Sequence, residues 1–80
     1  MIKTLDQVEP GRKVRVVQLA GGHRFIDRLA GMGIGVGCEL EVWQQSYGRG
    51  GLLVTRGQSR LAIGRKMAGK IVVEPMEYKP

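Results

Sequence analysis

Three groups of side chains in this 80-residue sequence are candidates for chemistry: a lone His and a lone Cys, a set of cations among glycines, and a tryptophan followed by a tyrosine. Zinc and iron sites need three or four convergent ligands at recognisable spacings. His23 and Cys38 stand isolated from each other, so they are weak metal candidates that would need ligands from a second copy or a partner. Cys38 also shares strand parity with Leu40 and Val42, which points to a buried, inert thiol. His23 has no nucleophile within sequence reach, and Glu39 and Glu41 are placed to neutralise Lys13 and Arg15 across a sheet. No catalytic residue and no resident cofactor are expected.

The cations raise the question of phosphate binding. Gly64 to Lys70 has the G-x-x-x-x-G-K spacing of a phosphate-binding loop. That motif requires Ser or Thr at the next position and a following helix whose N-terminus faces the anion. This chain has Ile71 and then a β-branched run, so the segment reads as a basic turn between strands. The run Gly31 to Gly37 satisfies G-x-G-x-x-G at none of its glycines and reads as a close helix-to-strand turn. Trp43 is more informative, because parity points it away from Leu40 and Val42, and the loop beyond it carries Tyr47 and Arg49. An outward aromatic beside cations can anchor a partner protein or stack on a base; it can also cover the open end of a small barrel.

The elements that must hold these residues follow from local pattern. Thr4 to Val8 reads as one helical turn stopped at Pro10-Gly11. Residues 12–19 form a strand with Val14 and Val16 on one face and Lys13 and Arg15 on the other. After Gly21-Gly22 the period becomes helical, with Phe25, Leu29 and Met32 on one side, until the glycine run ends the helix. Residues 38–43 alternate again as a strand, and residues 44–51 read as a polar loop. Two short strands flank a tight connection at Arg56-Gly57-Gln58, one turn follows at 64–69, and a last strand runs from Lys70 to Glu74. The expected architecture is mainly β: a small, partly open barrel of about five antiparallel strands with one short helix inserted after the first. The domain spans 1–75, and 76–80 form a frayed tail.

Size and charge bound the function. A chain this short supports one core and leaves no room for a two-domain enzyme. With 13 basic and 7 acidic residues the net charge is +6, and residues 44–73 carry Arg49, Arg56, Arg60, Arg65, Lys66 and Lys70 with no acid. One cysteine builds no internal disulfide, the N-terminal residues lack an apolar signal-peptide core, and no apolar run approaches a membrane span. A cytoplasmic protein is expected, reaching a membrane only through charge or a partner.

The order of motifs is itself specific: T-L-x-x-V-x-P-G from Thr4, V-x-V-V from Val14, R-L-x-x-M-G-I from Arg28, V-G-x-x-L-E-V from Val36, R-G-x-S-R-L-A-I from Arg56 and A-x-x-I-V-V from Ala68. Over residues 4–74 this resembles the FeoA family of small cytosolic components of ferrous-iron uptake. Val36 departs from the pattern, standing where that family often has proline. The resemblance implies an SH3-like barrel with an inserted helix, no catalysis, and a partner in the FeoB-type membrane iron transporter, met at its cytosolic GTP-binding region or nearby. On that expectation Arg28, Leu29, Met32, Trp43, Tyr47, Arg49 and Arg56 contact the partner, the protein is a monomer or weak homodimer, and no nucleic acid is involved. The competing expectation is a nucleic-acid-binding barrel that uses Trp43 and Tyr47 as a stacking platform in a basic groove.

Overall fold

The computed structural model describes residues 2–45 and 50–76. Six strands form one antiparallel sheet: β1 (Lys3–Thr4), β2 (Lys13–Leu19), β3 (Glu39–Gln45), β4 (Leu52–Arg56), β5 (Ser59–Ile63) and β6 (Ile71–Pro75), in the order β1-β6-β2-β3-β4-β5. Helix α1 (His23–Gly31) follows β2, and the short α2 (Arg65–Ala68) joins β5 to β6. The mainly β architecture expected from the sequence is therefore present, with one strand more. The extra strand is β1, whose two residues pair with Val72 and Val73 of β6. A two-residue strand carries no alternation of its own and forms only because β6 presents an edge.

Alternation in β2 and β3 predicts the buried face correctly. Val14, Val16, Leu40 and Val42 join Leu29, Leu52, Val54, Ile63, Ile71 and Val73 in a core that contains no buried polar or charged residue among those described. The last turn of α1 explains the glycine run. Gly33 adopts φ +81°, Gly33 N–H bonds to Ala30 O, and Ile34 N–H bonds to Leu29 O, which is a Schellman cap. Ile34 and Leu29 are both buried, as the hydrophobic contact of that motif requires. The β4–β5 hairpin turns on Gly57 and Gln58, with only Gly57 at positive φ (+61°), as a type II′ turn demands.

The polar loop expected at 44–51 begins later than the sequence suggests, because Gln44 and Gln45 belong to β3. The cause is a β-bulge. Val42 pairs with Val54 and Gln44 with Leu53, which leaves Trp43 as an additional residue in β3. Trp43 and Gln44 both end up exposed, and Gln45 falls opposite buried Leu52. Its amide Nε2 donates to Asp6 O at 3.3 Å and Val8 O at 2.8 Å, tying β3 to the 3-10 turn at Leu5–Gln7. The segment that resembled a phosphate-binding loop is the one-turn α2 leading into β6, as the missing Ser or Thr implied.

Candidate partner-binding surface

Register decides where the charges go. Arg15 on β2 lies directly opposite Glu39 on β3 and Glu74 on β6, and its guanidinium reaches them at 3.5 and 3.7 Å. Lys13 sits opposite Glu41 in register, without an ion pair between them. Glu39 is thus a structural counter-charge, as its spacing suggested, and Glu41 occupies the matching position. On the other half of the sheet the outward residues of β4 and β5 are Leu53, Thr55, Arg60 and Ala62. Here Arg60 has no carboxylate within reach among the described residues. Its guanidinium instead lies 4.9 Å from the ring centroid of Trp43, two strands away, and Trp43 remains 52% exposed. Trp43 therefore stands on the outside of the sheet and is not the cover of an open barrel end. Beside it Gln44, Gly51, Leu53 and Ala62 line a shallow depression.

The other expected contact residues separate. Arg28 is exposed on α1, and Met32 is half-buried at its C-cap, packed against the core. Leu29 is 0% exposed, so it is a core residue and offers a partner no surface. Helical spacing already gave Leu29 the inward side; the expectation of contact came from the family motif, which reports the helix cap as much as any interface. Tyr47 and Arg49 lie outside the described residues. Arg56 is part of β4 rather than of the hairpin connection, and it shares the inward parity of Leu52 and Val54. Its guanidinium is seated on Gly33: a Cβ there would come within 2.7 Å of Nη2. The Arg56 Nε is buried and has no hydrogen-bond partner among the described residues. Reversing Arg56 to Glu would thus disturb the α1–β3 turn as well as the charge that was expected to meet a partner.

The two metal candidates do not converge with other ligands. His23 is exposed at the first position of α1, while Cys38 is half-buried with its sulfur 3.8 Å from the carbonyl oxygens of Gly33 and Glu39. No group of three His, Cys, Asp or Glu that could hold a metal ion occurs among the described residues. Two residues that matter to the surface were missed as sites. Arg60 is legible from β5 parity, whereas Gln45 becomes structural only through the bulge.

The arrangement is that of a small barrel in which the cations of β2 face carboxylates while the β4–β5 hairpin carries no acid of its own, and a match to known proteins assigns it. A family model described as the FeoA domain matches residues 3–75. The chain belongs to the FeoA domain family. A Methanocaldococcus jannaschii protein named as an Fe(2+) transport protein A is 37% identical over 68 residues, covering 85% of this chain and 80% of that relative. The crystal structure of an iron uptake regulatory protein (FeoA) superposes with a TM-score of 0.86 at 32% identity, covering 95% of this chain and 99% of the other. A manganese-dependent transcriptional repressor shares the fold at TM-score 0.86 and 18% identity, with this FeoA domain spanning 42% of its chain. No helix among the described residues is long and apolar enough to cross a membrane.

Proposed function

We propose that this FeoA-domain protein is a non-enzymatic accessory component of ferrous-iron uptake that docks on the cytosolic side of a FeoB-type membrane transporter. The observation that carries this reading is the family match across residues 3–75, together with relatives named for iron transport and uptake. The surface chemistry supports a docking role. Trp43, held under Arg60 of the acid-free β5 strand, has the exposed aromatic and cationic character of an interface anchor. Arg28 on α1, Met32 at its C-cap, and Tyr47 and Arg49 after β3 extend the set proposed to meet the transporter. The protein works in the cytoplasm without a resident cofactor, and reaches the membrane through its partner. Deleting the gene should lower ferrous-iron uptake, and the purified protein should bind the transporter's cytosolic domain in a titration. Unchanged uptake together with no binding would overturn the reading.

A further inference from the structure

The sheet has two edges, and they are treated differently. At one edge, β1 is only two residues long, and its Thr4 N–H is already taken by Gln7 Oε1 at 3.1 Å. At the other edge, β5 runs for five residues, all of them paired with β4 on one side. Among the described residues no other backbone group bonds to residues 59–63. An open row of N–H and C=O groups of this length is a template for another strand, which proteins usually guard with a charge standing at the edge. The one charge on β5 is Arg60, and it does not stand guard. Its guanidinium is drawn back across β4 onto the Trp43 ring of β3, away from the open side.

The chemistry of an added strand can be read from β5. Arg60 and Ala62 face outward, while Leu61 and Ile63 face the core, and Leu61, packed against that core, is only half-buried on this edge strand. Inward side chains of an incoming strand should be apolar, to complete the burial of Leu61. Outward ones should be acidic, to lie beside Arg60 in a segment, 50–73, that carries five cations and no Asp or Glu. We propose that the β5 edge is a strand-addition site for an extended acidic segment of a partner protein, alternating acidic and apolar residues. The proposal deepens the docking reading and rests on it for the partner's identity, though not for the existence of the site.

The test uses the full chain, 15N-labelled, at low salt, with three probes: acetylated Glu-Val-Glu-Val-Glu-Val, its Lys-Val counterpart, and the Glu-Val peptide N-methylated at alternate residues on the edge that would pair. The Glu-Val peptide should shift the amide signals of Ser59 to Ile63 and slow hydrogen exchange at the outward amides by at least about tenfold. N-methylation and the Lys-Val sequence should each abolish both effects. The proposal is overturned if the Glu-Val peptide leaves β5 unperturbed, if the Lys-Val peptide does as well, if the N-methylated peptide binds equally, or if β5 instead pairs with a second copy of this chain. A negative result here with retained binding to the transporter domain would refute the edge and leave the docking reading standing. Peptide binding with no transporter binding would do the reverse.

Discussion

The two halves of the sheet hold their arginines by different means. On β2 a guanidinium is flanked by carboxylates from both neighbouring strands, so Arg15 has its counter-charge supplied within the fold. On β5 the guanidinium of Arg60 rests on an aromatic face, which restrains its position without cancelling its charge. A quadrupole orients a cation but adds no opposite unit charge, so the field of Arg60 remains available to whatever approaches. The lesson is that local charge pairing, more than net charge, separates a structural face from one that can recruit a partner. Around Arg15 the sheet is closed electrostatically, whereas the β4–β5 hairpin, which carries Arg60 and no acid, is open.

That contrast can be broken from beneath, because both halves share one core. Leu29→Ala should cost about 2–5 kcal/mol, as removal of a buried leucine does. Chemical denaturation followed by far-UV circular dichroism should show a single transition at lower denaturant, with every strand affected together. If the β2–β3–β6 half outlasted the rest, the two halves would not be one cooperative unit. Gly33→Ala should rank next, at about 1–3 kcal/mol, from the positive φ and the displaced Arg56 guanidinium. Arg56→Leu in the Gly33→Ala background should recover part of that loss if the clash contributes; no recovery would assign the cost to φ alone. The smallest effects come from the surface pairs themselves. Arg15→Gln should change stability by less than about 1 kcal/mol, and less still at high salt, since both of its ion pairs are solvent-exposed. Trp43→Ala should lower stability by a similarly small amount but reduce affinity for the transporter domain, whereas Arg15→Gln should leave affinity unchanged. Equal losses of affinity in the two variants would erase the distinction between the faces.

Much of this was legible in the sequence, because period-2 alternation in Lys13 to Val16 and Cys38 to Val42 is a direct record of which side is buried. The helix stop was legible too, since only glycine accepts the conformation at position 33. What escaped was created by non-local contact. Lys3–Thr4 becomes a strand because β6 is there to receive it, and Gln45 is a clamp because the bulge turns it toward carbonyls at Asp6 and Val8, more than 35 residues away in the chain. Arg56 escaped for another reason. A cation next to Gly57 reads as part of a turn, yet the strand continues through it, and the absent side chain at Gly33 makes room for it inside. On the surface, parity named Trp43 as outward, but its pairing with Arg60 depends on two strands lying in register with β4 between them.

The extra residue in β3 also gives the protein an optical property. Trp43 is the sole tryptophan in the chain, and the bulge sets it half in water beneath a cation, on the open face. Its fluorescence thus originates from one known place. Any ligand that displaces Arg60 or dries the ring should alter emission without a label, so the surface most in need of a binding assay comes equipped with its own reporter.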